Sequence, residues 1–208
     1  MKKVSIIDYG MSNLLSICRA FEHIGATVEI IDSAAGIEQA DYLVLPGVGA
    51  FPDGMKELHA RNLVNPVKKY VASGKPMLGV CLGMQMLLSK SYEHTETPGL
   101  DIIPGEVLAL PKDIPGYKVP NINWHSIESN QDNWKNSILE NTSNGACFYF
   151  VHSYYAKPDK EAHVLASANF GSLNFACAVR KENVTGTQFH PEKSGEEGLK
   201  LLENFIKS

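Results

Sequence analysis

Short, continuous apolar runs alternate with segments of helical periodicity over the first ninety residues of the chain. The apolar runs predict buried strands, and the periodic segments predict amphipathic helices with one apolar face. The predicted strands are residues 4–8, 27–31, 42–45 and 77–80, and the predicted helices are residues 13–24, 53–61, 64–72 and 82–88. Such alternation, with strands that are apolar throughout, is typical of a parallel sheet covered on both faces.

The pattern changes after residue 89. A mixed polar segment, residues 91–105, is predicted to be loop. Closely spaced strands are then predicted at residues 106–110, 119–129, 146–155, 163–169, 175–180 and 184–189, with helices only at 134–139 and 195–206. Strands without crossover helices between them pair antiparallel. We therefore predict one α/β domain over residues 1–208, with a mostly parallel central sheet flanked by helices and extended by antiparallel strands.

Composition narrows the class of protein. Hydrophobic residues make up 44% and charged residues 20% of the 208 positions, as in ordinary globular proteins. The net charge of −4 is spread along the chain without a basic stripe, which argues against a nucleic-acid partner. No apolar run approaches the roughly 18 residues of a membrane span, and the first run ends at Asp8, so it predicts a strand and not a signal peptide.

The four cysteines are scattered along the chain and form no C-x-x-C pair. This spacing favours neither a zinc site nor a disulfide framework. Together with the absence of a predicted export signal, it indicates a cytoplasmic protein that holds no metal.

One cysteine, Cys81, stands between Gly79 and Gly83 directly after the predicted strand at residues 77–80. A strand that runs into G-x-C-x-G is the thiol counterpart of the nucleophile elbow, in which the backbone turns sharply into a helix. Glycines flank such a turn because it requires backbone angles that a β-carbon resists. The start of a helix also favours the thiolate. Cys81 is therefore the predicted nucleophile.

A second motif, residues 188–192, supplies partners for a thiol nucleophile. A nucleophile of this kind needs a base to take its proton, and the base needs a third group to orient it. Residues two apart in an extended segment point to the same side, so His190 and Glu192 fit these two roles. Taken singly, such a cysteine is more often a buried apolar residue and such a His–Glu pair a surface pair. Their joint occurrence favours catalysis.

The loop Gly47-Val48-Gly49 follows a predicted buried strand and should lie at the carboxyl edge of the sheet, where α/β proteins form their sites. Its backbone N–H groups are candidates to bind an oxyanion beside Cys81, although an ordinary tight loop would have the same sequence. Its spacing does not match a dinucleotide fingerprint, and Gly74-Lys75-Pro76 lacks the other residues of a P-loop. We therefore predict no nucleotide cofactor.

An aromatic segment, residues 148–155, predicts a core strand with alternating buried rings. Its end carries His152 and Ser153, which are candidates to line a polar pocket. Gln85 lies one helical turn after Cys81 and is a candidate for the same pocket.

These motifs together resemble the class I (triad) glutamine amidotransferases. Within that family they resemble the branch formed by the glutaminase subunits of imidazole glycerol phosphate synthase. The resemblance covers essentially the whole chain and rests on residues 8–14, 45–51, 79–85, 149–155 and 186–194.

The resemblance implies a glutaminase that uses no cofactor. Cys81 would attack the side-chain carboxamide of glutamine, and His190, oriented by Glu192, would pass a proton to the departing ammonia before water releases glutamate. The oxyanion and the glutamine would be bound by the following residues: Gly47, Val48, Gly49, Leu82, Gln85, His152, Ser153 and Tyr154.

The resemblance also implies a partner protein. In this family the ammonia passes into a HisF-type cyclase subunit, a (β/α)₈ barrel. Asn13, Trp124 and Lys193 match positions that face this barrel.

Two segments depart from the family pattern, both near the implied interface and away from Cys81. Ser12 stands where the family usually has glycine, and residues 120–125 read Pro-Asn-Ile-Asn-Trp-His where it usually reads Pro-His-Met/Ile-Gly-Trp-Asn. They bear on the partner more than on the chemistry. Two alternatives therefore stay open: a paralogue that supplies ammonia for amidino-sugar formation in surface polysaccharides, and a stand-alone γ-glutamyl hydrolase. A non-catalytic homologue would normally lack a triad residue, and none is missing.

Overall fold

A computed structural model of the chain describes residues 2–129 and 134–208. Its first part alternates strand and helix as predicted. The elements are β1 (Lys3–Ile7), α1 (Leu14–His23), β2 (Thr27–Ile31), α2 (Ala34–Gln39), β3 (Tyr42–Gly47), α3 (Phe51–Ala60), α4 (Val64–Ala72), β4 (Met77–Cys81) and α5 (Leu82–Met86). Strand β2 and helix α4 have the predicted bounds. Helix α2 was not predicted, and α5 ends at Met86 because the next strand begins at Leu88.

The second part consists mainly of strands. They are β5 (Leu88–Ser91), β6 (Thr97–Pro98), β7 (Ile103–Ala109), β8 (Asn121–Ser126), β9 (Cys147–His152), β10 (Tyr154–Pro158), β11 (Val164–Phe170), β12 (Leu173–Lys181) and β13 (Val184–Thr187). Short 3₁₀ turns occupy Glu161–His163 and Pro191–Lys193, and α6 (Gly195–Phe205) closes the fold.

Three predictions for this part were wrong. The segment predicted as loop, residues 91–105, contains β6 and the start of β7. The predicted helix at 134–139 is a series of turns, in which the indole N–H of Trp134 donates to the carbonyl of Leu165. The single strand predicted at 146–155 is two strands, β9 and β10, because the chain leaves one sheet and enters the other at Ser153.

The central sheet has eleven strands among the described residues, in the order β2-β1-β3-β4-β13-β12-β10-β7-β5-β6, with β11 paired to β12. Strands β2, β1, β3, β4 and β13 are mutually parallel, and β12 and β10 extend them in antiparallel fashion. This confirms the predicted parallel core with antiparallel additions. Strand β13, near the end of the chain, lies between β4 and β12, so the end of the nucleophile's strand is next to the approach to His190.

The central sheet separates two apolar cores. Val44 of β3 packs into one core with α1 and α6, whereas Leu43 and Leu45 pack into the other with α3 and α4. This alternation follows from the two-residue period of a strand, and it explains why the central strands β3 and β4 are buried along their whole length.

A second sheet consists of β8 and β9 alone and packs on the first of these cores through Phe148 and Phe150. A bridge between Glu128 and Ser167 links its end to the main sheet. No helix within residues 2–129 and 134–208 is long and apolar enough to cross a membrane.

Candidate active site

Cys81 lies at the junction of β4 and α5 in a strained backbone conformation, with φ of 55° and ψ of −109°. Residues other than glycine rarely adopt a positive φ, so the surrounding structure must hold it. The neighbouring glycines make this turn sterically allowed. A Cβ at Gly83 would overlap the carbonyl of Leu45, and a Cβ at Gly79 would lie 2.9 Å from the backbone of Gly83. The turn therefore has the predicted shape of a nucleophile elbow.

His190 and Glu192 form a buried pair in which His190 Nδ1 lies 2.7 Å from Glu192 Oε1. Their side chains are 4% and 5% exposed. The pairing was predicted from an extended backbone, which is wrong: Pro191–Lys193 forms a 3₁₀ turn, closed by the bond from Lys193 N–H to His190 O. This turn brings the carboxylate back to the imidazole.

The electrostatics of His190 reflect two opposing effects. Burial by itself lowers the pKa of the imidazole, but the adjacent Cys81 sulfur and the Glu192 carboxylate outweigh it and raise the pKa of His190 to about 10. Its Nε2 atom makes no hydrogen bond within the described residues. His190 therefore keeps a proton near neutral pH, and that proton is available to a reacting group in the cavity.

A cavity of about 270 Å³ lies over Cys81. Most of the predicted site residues line it, namely Val48, Gly49, Cys81, Leu82, Gln85, His152, Ser153, Tyr154 and His190. Of the other two, Glu192 lies behind His190, and Gly47 packs against Leu82 and the hydroxyl of Tyr9. The structure thus brings together all the residues predicted for catalysis and for glutamine binding.

The loop predicted to bind the oxyanion has its central N–H turned to another partner. Val48 N–H donates to the carbonyl of Met11 over 2.8 Å, and Gly49 has a φ of 100° that favours glycine. The side chain of Val48 is 42% exposed at the edge of the cavity. In this conformation Val48 N–H is not available to an oxyanion at Cys81.

Gln188 contacts the nucleophile, a role that the sequence analysis missed. Its Nε2 lies 3.8 Å from Cys81 Sγ, and its Oε1 accepts from Gln85 Nε2 at 3.0 Å. Gln85 Nε2 also donates to the carbonyl of Tyr154, so both of its N–H groups bind protein atoms. Gln85 therefore orients Gln188 toward the sulfur. Both N–H groups of the Gln85 amide already bind protein atoms, so this nitrogen is not available to bind glutamine.

A second chain of hydrogen bonds reaches the cavity from β8. His125 Nε2 pairs with Asn121 Oδ1 at 2.8 Å, Asn121 Nδ2 with His152 Nε2 at 3.0 Å, and His152 Nδ1 with the Tyr154 carbonyl at 2.8 Å. Burial lowers the pKa of His152 to about 4, so its ring is neutral, donating at Nδ1 and accepting at Nε2. Both ring nitrogens of His152 are thus engaged, and the ring forms a wall of the cavity.

This arrangement explains one of the departures from the family pattern. The usual histidine and asparagine, four residues apart, are exchanged here as Asn121 and His125. Since residues four apart lie on the same face of a strand, the two side chains meet in either order. The exchange therefore preserves the hydrogen-bonded pair, while Ile122, Asn123 and Trp124 between the two residues are exposed on the surface.

Glu93 is another cavity residue that the sequence analysis missed. Its Oε2 accepts from Phe51 N–H at 2.7 Å at the start of α3, and its side chain lines the cavity. It lies in the segment predicted as loop, where a single glutamate gives no sequence signal. Its carboxylate is an acceptor for a positively charged group of a ligand.

The residues predicted to face a partner are exposed. Trp124 is 51% exposed, and its ring centroid lies 5.9 Å from that of Tyr149; Lys193 Nζ lies 5.9 Å from the centroid of the same ring. Asn13 is exposed at the start of α1. The structure therefore places Trp124 and Lys193 side by side, on one surface around Tyr149.

Comparison with known proteins identifies the class. Residues 5–208 match the family described as Glutamine amidotransferase class-I, and the chain belongs to this family.

Its similar relatives carry a more particular name. Imidazole glycerol phosphate synthase subunit HisH 1 of Legionella pneumophila (strain Paris) is 44% identical over 100% of both chains. Subunit HisH of Aquifex aeolicus (strain VF5) is 45% identical over 96% of this chain and 94% of its own length, and that of Methanosarcina barkeri is 47% identical over 99% and 98%.

Solved structures with low sequence identity share the fold. A structure described as a glutamine amidotransferase has a TM-score of 0.74 at 18% identity, covering 98% of this chain and 97% of that one. A chain in the structure of PurLQS from Thermotoga maritima has a TM-score of 0.74 at 17% identity, covering 99% and 98%. These likenesses confirm the predicted fold class.

Proposed function

We propose that this chain is the glutaminase subunit of an imidazole glycerol phosphate synthase. It hydrolyses L-glutamine to glutamate and ammonia, and a HisF-type (β/α)₈ cyclase subunit uses the ammonia to make imidazole glycerol phosphate and AICAR in histidine biosynthesis. The observation that carries the proposal is the strained Cys81 in one cavity with the protonated His190, in a chain whose full length matches HisH subunits at 44–47% identity.

The proposed mechanism assigns one role to each group. The Cys81 thiolate attacks the carboxamide carbon of glutamine, and the backbone N–H of Leu82 and of the Gly47–Gly49 loop bind the resulting oxyanion. His190 gives its proton to the departing ammonia, which leaves a thioester on Cys81. A water molecule, deprotonated by His190, then releases glutamate. Glu192 keeps the imidazole oriented throughout.

Glutamine recognition is proposed to use charge as well as shape. The cavity of about 270 Å³ is small, which suits an amino acid. Glu93 supplies a carboxylate for the α-ammonium group of glutamine, and this carboxylate is already held by Phe51 N–H. The ring of His152 and the backbone at Ser153 form the opposite part of the wall.

We propose the surface around Tyr149 as the docking site for the barrel. Ile122 and Trp124 of β8, opposite Val151 and Tyr149, are 59% and 51% exposed, and Val48 at the cavity is 42% exposed. Exposed groups of large apolar residues mark protein interfaces. Lys193 adds a positive charge beside them.

The conformation of the Gly47–Gly49 loop supports the proposal that the chain without its partner is in a state of low activity. With Val48 N–H bound to Met11 O, the oxyanion lacks one donor, and losing one such donor typically lowers the rate by about two to three powers of ten. We propose that the partner, with its acceptor ligand bound, turns this peptide toward Cys81. Glutamine is then hydrolysed quickly only when the ammonia can be used.

We further propose that residues 1–208 act as one domain in the cytoplasm. The central sheet takes strands from both halves of the chain, which supports a single folding unit. All four cysteines are free thiols, which suits a reducing compartment.

The test is glutamate release by the purified chain, alone and with a HisF-type barrel that carries its acceptor ligand. We expect slow turnover alone and acceleration by about 10²–10³-fold in the complex. Cys81→Ser should abolish glutamine-dependent product formation while the complex still makes product from ammonium salts. Full-speed turnover without a partner would favour the stand-alone hydrolase. Acceleration only by a barrel from a nucleotide-sugar gene cluster would favour the amidino-sugar paralogue.

A further inference from the structure

Tyr9, in the loop between β1 and α1, carries a buried hydroxyl group that has no role in the proposed steps of glutamine hydrolysis. The residue is 0% exposed, and its hydroxyl has no hydrogen-bond partner within the described residues. Buried polar groups in folded proteins are almost always hydrogen-bonded, because an unpaired one lowers stability. The Ser12 side chain is close enough to affect the pKa of Tyr9, but its hydroxyl donates to the carbonyl of Pro46 at 3.3 Å, and no hydrogen bond joins it to the Tyr9 hydroxyl.

The hydroxyl of Tyr9 lies directly against the loop that is proposed to bind the oxyanion. A Cβ at position 47 would overlap the Tyr9 hydroxyl, so the hydroxyl occupies the space that the absent side chain of Gly47 leaves open. Burial raises the pKa of the Tyr9 phenol far above its ordinary value, the nearby Ser12 side chain lowers it by less, and the Cys81 sulfur adds a smaller increase. The hydroxyl therefore remains protonated at working pH values, and it donates no hydrogen bond within the described residues.

Peptide geometry identifies an acceptor for it. The N–H and C=O of a trans peptide point in opposite directions. Val48 N–H now points at Met11, which belongs to the same loop as Tyr9. Turning the Gly47–Val48 peptide so that this N–H faces Cys81 therefore swings the Gly47 carbonyl toward the loop that holds Tyr9.

The turned state needs an interaction of this kind. Val48 is absent from the residues with positive φ in the resting conformation, and a half-turn of its preceding peptide moves its φ to positive values. A β-branched residue resists such a conformation. The peptide also gives up the bond to Met11. A new hydrogen bond that exists only in the turned state would offset both losses.

We propose that Tyr9 is a positioning residue that holds the oxyanion loop in its active conformation by donating its hydroxyl to the Gly47 carbonyl. The inference rests on the proposed function, since it concerns the state that the partner induces. In the resting chain the hydroxyl is unpaired, and in the active complex it is paired, so it favours the active state.

The test compares two identical chemical changes at two buried tyrosines. Tyr9→Phe removes only the unpaired hydroxyl. We expect the acceleration of glutamine hydrolysis by the ligand-bound barrel to fall about tenfold, the value of one hydrogen bond. The KM for glutamine should stay within twofold. The melting temperature of the isolated chain should stay the same or rise, because an unsatisfied polar group has been removed.

Tyr70→Phe in α4 is the matched control. The Tyr70 hydroxyl is also buried, but its oxygen lies 3.0 Å from the carbonyls of both Asp41 and Pro76, which share its one proton. These carbonyls precede β3 and β4, at the ends of the two strands that are opposite to Gly47 and Cys81. This variant should lower the melting temperature and leave the acceleration by the barrel unchanged. The two variants therefore have opposite expected signatures in stability and activity.

Two results with Tyr9→Phe would overturn the inference while the proposed function stands. One is an unchanged acceleration by the barrel. The other is a loss of melting temperature as large as that of Tyr70→Phe, which would mean that the hydroxyl is already bonded at rest. A wild-type chain that no barrel accelerates would overturn the proposed function and this inference together.

Discussion

The two carboxylate oxygens of Glu192 differ in their contacts, and the bonded one helps to set the pKa of His190. Glu192 Oε1 binds His190 Nδ1, whereas Glu192 Oε2 is buried with no hydrogen-bond partner within the described residues. The carboxylate is therefore compensated mainly by the imidazole. Because Cys81 and Glu192 together raise the pKa of His190 to about 10 against the effect of burial, the imidazole keeps its proton across the neutral range.

Replacing Glu192 with glutamine removes the negative charge and keeps nearly the same side-chain shape, so its effect reports the role of the charge. We expect Glu192→Gln to lower kcat about a hundredfold and leave the KM for glutamine within a few-fold. With one of its raising causes removed, the pKa of His190 falls, so the alkaline limb of the rate profile moves to lower pH. Glutaminase rates measured from about pH 6 to 10, between the ordinary pKa of an imidazole and the raised pKa of His190, test this shift.

Glu196→Gln, an exposed glutamate in the first turn of α6, is the control with the same change of charge. It should leave both the rate and its pH profile unchanged. A large increase in KM with normal kcat for Glu192→Gln would instead assign Glu192 to substrate binding.

The two-stranded sheet of β8 and β9 connects the exposed surface around Trp124 to the cavity over Cys81, which His152 lines. Asn121 pairs with His152 across the two strands, and His125 lies four residues along on the same face. Their hydrogen bonds fix the neutral tautomer of His152 and end at the carbonyl of Tyr154, which Gln85 also binds. One edge of the cavity therefore depends on a pair whose order differs from the family pattern.

A cycle of three variants tests this dependence. Asn121→His and His125→Asn each change the size and the position of the bonding atoms on one side of the pair, which disturbs the hydrogen bond between positions 121 and 125. Each should raise the KM for glutamine about fivefold, in line with one lost buried hydrogen bond. The double variant restores the family order and should recover most of the wild-type KM, so the two changes are strongly non-additive. Additive losses would show that the two side chains do not act as a pair.

The whole molecule presents its exposed apolar residues unevenly. Val48 lines the cavity, and Ile122 and Trp124 lie on β8 beside it, whereas Ile30, 53% exposed, lies apart on the edge strand β2. Trp124 also packs edge-on against Tyr149, which holds it ready for contact. The barrel is therefore expected to cover the side of the molecule on which the cavity opens.

Trp124→Ala should weaken binding of the barrel by about thirtyfold, as expected for an aromatic residue at the centre of an interface. Titration of the accelerated glutaminase activity with the barrel measures this affinity. Ile30→Ala removes a similarly exposed apolar side chain and should not change the affinity. Equal effects of the two substitutions would place the interface elsewhere.

The parallel core was predictable because its signals are local. The apolar run at residues 27–31 and the periodic segment at 64–72 define β2 and α4 without reference to the rest of the chain. Helix α2 was missed because it is short and has a single buried residue, Ile37, so it lacks an apolar stripe. The helix predicted at residues 134–139 failed because a tertiary contact, from Trp134 to the carbonyl of Leu165, favours turns there.

The residues of the site also fall into two groups, those with a local sequence signal and those that depend on distant contacts. Cys81 and His190 were predictable because glycines and a short motif surround them. Gln188, Glu93 and Tyr9 acquire their roles from partners distant in the sequence: the Cys81 sulfur, the start of α3 and the backbone of Gly47. No local pattern distinguishes such residues from ordinary polar or aromatic positions.

The place of β13 in the sheet has a consequence for the newly synthesised protein. Strand β4 carries Cys81 at its end, and one of its two neighbours in the sheet is β13, the last strand in the described part of the chain. A polypeptide still growing on the ribosome therefore has its cysteine long before it has His190 or the finished cavity. Because such non-local pairing forms late, Cys81 and His190 come together only when the sheet closes, so a nascent chain that already carries the cysteine has no assembled site around it.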